Sequence, residues 1–200
     1  MVRGLTEALQ SHPLASVADY SDFVGGGRFL PPPVPANLDE EEAALREFLA
    51  IEEARTLHAR AMTATNGVIL IDRSIHTLLA HCAALTKLTK NDYFSLAQRV
   101  LHASAVPLWP DLILYLDVSQ ETIHARNQGK FPPGSVFVDA TFNAGIRSYF
   151  EPPQDPALPE VAWLEGAAGA RLLRDLAAAR VETSMSTQSD KGGGSWRNHR

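Results

Sequence analysis

Two short apolar runs that each end in an acid constrain this chain more than any other feature. Val68–Ile71 is followed by Asp72, and Leu112–Leu116 is followed by Asp117, within the segments GVILIDRS and DLILYLD. Continuous runs of β-branched residues and leucine are typical of strands that are buried on both faces, as in parallel sheets. We therefore expect each acid at the carboxyl end of a parallel strand, where ligands bind in open α/β sheets.

Helical patterns alternate with these strands along the chain. The clearest is Leu38–Met62, which Asn37 or Asp39 could cap, with acidic residues in its first turn. Leu14–Tyr20 predicts an earlier strand and Val161–Leu164 a last one. Further helices are predicted at Val2–Gln10, Ile75–Leu85, Asp92–Ala105, Ser119–Asn127, Ala140–Phe150 and Ala167–Val181. This alternation predicts a three-layer α/β/α domain around a parallel sheet.

Length, charge and cysteine content exclude several classes of protein. Two hundred residues suit one domain, predicted over 1–182, followed by a polar tail at 183–200 that we expect to be disordered. The net charge of −5 argues against a general nucleic-acid surface. Cys82 is the only cysteine, so no intramolecular disulfide can form. No apolar run approaches the ~20 residues of a membrane span, and no secretory leader pattern is present. We expect a cytoplasmic protein, with a homodimer left open.

The dipeptide Asp72-Arg73 is the strongest candidate for chemistry. An acid at the end of an apolar strand has the form of a Walker B acid, which holds Mg²⁺ in phosphoryl-transfer enzymes. A neighbouring guanidinium can make a bidentate contact with a phosphate or a carboxylate. The alternative is a structural ion pair between Arg73 and a nearby acid. A phosphoryl-transfer site is the prediction that explains both residues.

Weaker candidates surround this pair. Asp19 follows the first strand and could accept a proton from a substrate hydroxyl, or serve only as a turn residue. Arg126 and Lys130 flank a loop that could close over transferring phosphates, and Arg147 on the next helix could point to the same place. Ordinary cations near helix ends are the alternative. Arg55 could contact substrate, although a solvated helix face is the other interpretation.

Two familiar kinds of site are not predicted. The phosphate-loop pattern GxxxxGK[ST] is absent, since Gly25–Gly27 are followed by Arg28 and no Lys-Ser or Lys-Thr pair occurs. The histidines show no metal-ligand spacing, and His76 and His81 are five positions apart instead of the four of a helical zinc pair.

Three segments carry a resemblance to a known family. Ile71–Ser74 (IDRS) is similar to a DR[YH] or ERS element, Pro110–Arg126 (PDLILYLDVSQETIHAR) to a strand-to-helix passage leading into a lid, and Phe142–Glu151 (FNAGIRSYFE) to the helix after that lid. Over roughly residues 1–182 the chain resembles the P-loop nucleoside and nucleotide kinases, in particular the thymidylate kinase and deoxynucleoside kinase group. The middle segment is the most specific of the three.

The resemblance implies a transfer of the γ-phosphoryl group from ATP·Mg²⁺ to a small acceptor such as thymidylate or a deoxynucleoside. Asp72 would lie near Mg²⁺ and Arg73 would contact phosphate. Asp19 takes the place of an acidic base, and Arg126 and Lys130 fall on the lid. Arg55, Arg147 and Phe23 are then expected among the substrate-binding residues, with Phe23 or Phe48 stacking on a base.

The chain departs from this family at the N-terminus. In the family a first strand and a GxxGxGK[ST] loop precede the helix that Val2–Gln10 resembles, and that strand is the central one in the sheet order 2-3-1-4-5. We therefore expect the central strand and the phosphate loop to be missing, and activity to be lost or impaired. A shortened gene model is the preferred explanation. The alternative is a non-catalytic binding or assembly protein that keeps a degenerate kinase fold.

Overall fold

The computed structural model describes residues 14–17, 19–24, 30–62, 68–151, 158–166, 175, 177–183 and 185. The predicted helix Val2–Gln10 and nearly all of the predicted tail lie outside the described residues. Thr183 and Met185 are helical, so the last helix extends past its predicted end at Val181. No helix in the described part of the chain combines the length and the apolar composition needed to cross a membrane.

The described strands form two parallel pairs. β1 (Leu14–Val17) pairs with β2 (Val68–Ile71), and β3 (Leu112–Asp117) pairs with β4 (Glu160–Glu165). The fold is therefore mixed α/β with parallel strands, as the sequence predicts. A single sheet is not formed by the described residues, because no described strand lies between β2 and β3.

The first strand is shorter than predicted. β1 ends at Val17 and not near Asp19, where the sequence predicts its end, and a carboxylate oxygen of Asp19 accepts the backbone N–H of Tyr20 at 2.7 Å. This bond begins a short 3₁₀ helix, Tyr20–Phe23, which turns the chain away from the sheet. A polar side chain that bonds to its own backbone competes with strand pairing, and here it ends the strand.

Five α-helices with defined bounds accompany the strands in the described part of the chain. They are α1 (Leu38–Met62), α2 (Ile75–Thr89), α3 (Tyr93–His102), α4 (Gln120–Asn127) and α5 (Ala140–Phe150), with a short 3₁₀ helix at Val136–Val138 and helical residues at 177–183. Side chains at the helix starts explain several boundaries. Asn37 accepts the N–H of Glu40 at 2.9 Å, and Ser119 accepts that of Thr122 at 3.3 Å, as capping residues do.

Two apolar clusters hold these elements together. The larger lies between α1, α2, α3 and α5 and is centred on buried leucines and aromatic rings, among them Leu45, Leu79, Leu85, Tyr93 and Phe142. The smaller joins Leu70 of β2 and Leu164 of β4 to Ala177 and Val181, with side chains of β3 packed against them. Because this second cluster includes strands from both pairs, it ties the two sheets to the same helical residues.

Glu41 of α1 is buried against Cys82 of α2. The burial of this carboxyl group makes the stability of the fold depend on pH. The thiol of Cys82 donates to Glu41 Oε1 at 3.0 Å, and burial of Glu41 raises the pKa of its carboxyl group above 4.5. The folded state therefore binds this proton more tightly than the unfolded state. The resulting stabilisation is complete below pH 4.5 and is lost as the pH rises through the folded-state pKa.

We expect Glu41→Gln to remove this contribution, because glutamine stays neutral at every pH. Urea unfolding of both proteins between pH 4 and pH 8 should show the variant gaining stability relative to the parent as the pH rises. The exposed Glu53→Gln in the same helix is the control, and it should follow the parent curve. Parallel curves for Glu41→Gln and the parent would show that Glu41 does not titrate differently on folding.

Candidate functional site

The candidate site is built on the turn that follows β2. Asp72 and Arg73 are both exposed there, and the N–H of Asp72 donates to the carbonyl of Val17 at 3.0 Å, which keeps the turn at the carboxyl ends of β1 and β2. Arg73 has φ of 60°, in the left-handed region that non-glycine residues seldom adopt. Such a conformation costs about 1–3 kcal/mol and persists only where the surroundings enforce it.

Arg55 of α1 supplies that restraint from beneath the turn. Its side chain is 0% exposed, and Nη2 donates to the carbonyl oxygens of Asp72 at 2.8 Å and of Arg73 at 2.7 Å. Its guanidinium also pairs with Glu52 and lies 4.2 Å from the ring centroid of Tyr20. The expected contact of Arg55 with substrate stays a prediction. The contacts present make it the residue that positions the Asp72–Arg73 turn.

Asp19 completes the group from the end of β1. Arg73 Nε lies 3.6 Å from Asp19 Oδ1, and the two side chains are 56% and 26% exposed. A partly exposed ion pair of this kind contributes about 0–1 kcal/mol, so little is lost when the guanidinium exchanges the carboxylate for a ligand. The structure thus brings together Asp19, Asp72 and Arg73, three residues that the sequence predicts as catalytic.

His81 belongs to the same region and was not among the site residues predicted from the sequence. Burial lowers the pKa of its imidazole, a hydrogen bond to the carbonyl of Pro33 at 2.7 Å opposes this, and the charge of Arg73 lowers the pKa further. A neutral imidazole therefore lies within electrostatic range of the arginine. The sequence offers no signal for this, because the relevant neighbours of His81 are distant in the chain.

Phe23 lies at the end of the 3₁₀ helix after β1, at the edge of this region. It is partly exposed, and its ring meets His58 of α1 edge-on at 5.8 Å between centroids. Phe48, the other aromatic residue considered for base stacking, packs against Tyr20 at 5.2 Å within the larger apolar cluster. Both rings are partly buried, and base stacking by either stays a prediction.

Two of the expected lid cations, Arg126 and Arg147, lie at the carboxyl ends of β3 and β4. Arg126 donates from Nη2 to the carbonyl of Gly166 at 2.9 Å, and Arg147 Nε lies 3.2 Å from Asp117. Lys130 Nζ lies 5.6 Å from the ring centroid of Phe131. In the described part of the chain, no hydrogen bond or ion pair joins these cations to the Asp72–Arg73 turn, so their lid function stays a prediction.

The residues present do not by themselves fit ATP·Mg²⁺. Among the described residues, no group of three or more histidine, cysteine, aspartate or glutamate side chains could hold a metal ion. Asp72 alone stands at the predicted magnesium position, and the sequence has no GxxxxGK[ST] loop to hold the phosphates. The arrangement offers instead the exposed guanidinium of Arg73 beside the Asp19 carboxylate, which suits a small molecule with an anionic group and a hydroxyl.

Comparison with models of known protein families and with curated proteins finds no match to this chain. The similarity to nucleoside and nucleotide kinases therefore rests on the three segments quoted above and remains an interpretation of the sequence.

Proposed function

We propose that this chain carries the acceptor-binding part of a nucleoside- or nucleotide-kinase-like phosphotransferase. The observation that supports this best is the contact of Arg73 with Asp19 beside Asp72, on a turn that the buried Arg55 holds in place. In this proposal Arg73 binds the acceptor's phosphate or another anionic group. Asp19 accepts a hydrogen bond from the acceptor's hydroxyl, and Asp72 lies where the phosphoryl donor would approach.

The donor side is the incomplete half of this proposal. Transfer from ATP would need a phosphate-binding loop and additional groups around Mg²⁺, which the described residues do not provide. We therefore expect the 200-residue chain to bind a deoxynucleoside or its monophosphate, and to bind ATP·Mg²⁺ more weakly. No step of phosphoryl transfer is assigned to this chain alone.

Calorimetric titration with thymidine, deoxycytidine and their monophosphates tests the acceptor site. Arg73→Ala should weaken binding of the monophosphate roughly 10- to 150-fold, because a hydrogen bond to a charged group contributes about 1.5–3 kcal/mol. Arg99→Ala is the matched control. The Arg99 side chain is 70% exposed, and its Nη2 lies as far as 3.9 Å from Glu42 Oε2 in a surface ion pair. Equal affinities of Arg73→Ala and the parent, or no saturable binding by the parent, would contradict the proposal.

A second candidate function is favoured by a different observation. The edges of β2 and β3 face a common cavity and have no described strand partner there. Such edges favour a binding or assembly protein that receives a segment of another polypeptide.

A further inference from the structure

Residues 30–36 form a proline strap on the path from the 3₁₀ helix after β1 to the start of α1. The strap therefore lies in the chain between Asp19 and Arg55, which belong to the candidate site. Four of the six residues at positions 30–35 are prolines. Proline has no backbone N–H, so this segment is held to its surroundings mainly through its carbonyl oxygens, which need donors from elsewhere.

Side chains of two helices contact the carbonyl oxygens of the strap. In the described part of the chain, no backbone–backbone hydrogen bond involves residues 30–35. Nε2 of His81 in α2 lies 2.7 Å from the carbonyl oxygen of Pro33, and the hydroxyl of Tyr93 in α3 donates to that of Pro35 at 3.4 Å. The histidine makes the shorter of these two contacts, so it is the stronger attachment of the strap to the helices.

The contact with Pro33 also fixes the state of the imidazole. A carbonyl oxygen can only accept, so Nε2 carries the proton and Nδ1 of the neutral ring is left unprotonated. The rings of Phe137 and Phe142 lie beside His81, with centroids 6.4 and 5.0 Å from its own. A second proton, taken up on Nδ1 from solvent, would charge the ring and keep the donor at Pro33. Because a charged donor forms a hydrogen bond roughly twice as strong, protonation tightens the strap.

The position of His81 in α2 brings its ring within reach of the charge of Arg73. His81 follows Ser74, the residue before α2, by seven positions, so both lie on one face of the helix about 10 Å apart along its axis. The Cβ bonds of a helix tilt toward its N-terminus, which brings the imidazole closer to the turn. Burial lowers the pKa of His81, the bond to Pro33 opposes this, and the charge of Arg73 lowers the pKa further.

Arg73 is the cation that opposes this second proton. The titratable groups that approach from other elements are carboxyl groups, since Glu41 of α1 accepts from Cys82, the residue after His81, and Asp19 pairs with Arg73. A carboxylate favours a protonated imidazole. The strap has no charged side chain, and the rings that contact His81 from the second 3₁₀ helix and from α5 are uncharged. Neutralising Arg73 is therefore the change that would charge His81.

We propose that His81 is a ligand-responsive latch: an anion bound to Arg73 offsets the charge of the arginine, lets His81 take up a proton and tightens the proline strap. This inference rests on the proposed function, in which Arg73 binds the anionic group of the acceptor. Coupling between two binding events is reciprocal, so a protonated His81 in turn strengthens anion binding. The anion should bind more tightly at low pH, and this gain should be lost as the pH rises through the pKa of His81.

Calorimetric titration with sulfate tests the coupling, because sulfate keeps its full charge between pH 5 and pH 8. At constant ionic strength, sulfate should bind the parent protein at least about fivefold more tightly at pH 5 than at pH 8. His81→Gln keeps an N–H donor for Pro33 but cannot titrate, so its affinities at the two pH values should agree within about twofold. Arg73→Ala should abolish the binding at both pH values, and Arg99→Ala should follow the parent.

Carbon–proton NMR follows the latch and the strap separately. Sulfate should raise the pKa at which the ring signal of His81 titrates, and the contact of this ring with Phe142 assigns the signal in the unmodified protein. The methyl signals of Val34, a strap residue that is 43% exposed, should shift in the same titration. In His81→Gln these methyl signals should stay in place. The measurement on the unmodified protein decides the question if this variant does not fold.

The possible outcomes separate the latch from the proposed function. Sulfate binding that requires Arg73 but leaves the signals of His81 and Val34 unchanged would overturn the latch and leave the acceptor site standing. An equal pH dependence of binding in the parent and in His81→Gln would do the same. Thymidine monophosphate takes the place of sulfate in these titrations if it alone binds. If neither anion binds saturably to the parent protein, the latch and the acceptor site are both overturned.

Discussion

Arg55→Met is expected to lower the free energy of unfolding by about 3–5 kcal/mol, the cost of removing one partner of a buried ion pair. Glu52 would remain as a buried carboxylate, 2% exposed, without its guanidinium. The carbonyl oxygens of Asp72 and Arg73 would also lose the donor that holds their turn. For a domain of this length the melting temperature should fall by roughly 6–20 °C. Urea unfolding and calorimetric melting measure both quantities.

Two further variants show whether burial is the cause. Glu52→Gln combined with Arg55→Met should recover much of the loss, because no uncompensated charge then remains in the interior. Arg46→Ala removes another arginine–glutamate ion pair, Arg46–Glu42, from the surface of the same helix, where the arginine side chain is 68% exposed. The Arg46→Ala control should lower the free energy of unfolding by about 0.3–0.5 kcal/mol. A loss below 1 kcal/mol for Arg55→Met would mean that Arg55 is not the restraint on the turn.

Gly145→Val should disrupt the packing of α5 on α2 and cost about 1–3 kcal/mol or more. A Cβ atom at Gly145 would lie 2.6 Å from the Cα and 2.8 Å from the Cβ of Ala84. The first of these is a backbone atom, which cannot move aside by a change of rotamer. Relief would require α2 and α5 to separate. Both helices contribute side chains to the larger apolar cluster, so that cluster would loosen.

Ala144→Val is the matched control for this variant. Ala144 is exposed in the same helix, so the substitution places the same β-branched side chain in α5 without the contact with α2. Helix propensity alone costs this control at most about 0.7 kcal/mol, whereas valine at position 145 replaces a glycine, which is itself about 0.8–1.0 kcal/mol less favourable than alanine in a helix. Urea unfolding of the two variants separates helix propensity from helix packing. Equal losses would show that the approach of the two helices at Gly145 is not close enough to restrict the side chain.

Much of the local structure could be predicted from the sequence, because the signals that determine it are local. Val68–Ile71 and Leu38–Met62 have the predicted bounds, since an apolar run and a capped helical pattern are both encoded within a few neighbouring residues. The first strand was predicted to end near Asp19 and ends at Val17. The competing interaction there is a single side-chain hydrogen bond from Asp19, which a strand pattern does not reveal.

The proximity of three candidate residues could be predicted, and their functional roles stay predictions. Asp19, Asp72 and Arg73 could be selected because parallel strands bring their carboxyl ends to one edge, and the structure places these three together. The position of Arg55 could not be predicted. Its helix shows charged residues on several faces, and only the packing of α1 under the turn decides that this arginine is buried with Glu52.

The sequence by itself determined which segments become strands and helices and where acids follow strands, because these choices depend on side chains within a few positions. Only the tertiary structure decided that the described strands pair as β1 with β2 and β3 with β4, that Arg55 lies beneath the Asp72–Arg73 turn, and that β2 and β3 border a common cavity. Those features depend on contacts between residues far apart in the chain. Their energies come from burial and from hydrogen bonds made only when the elements pack, and no local pattern records them.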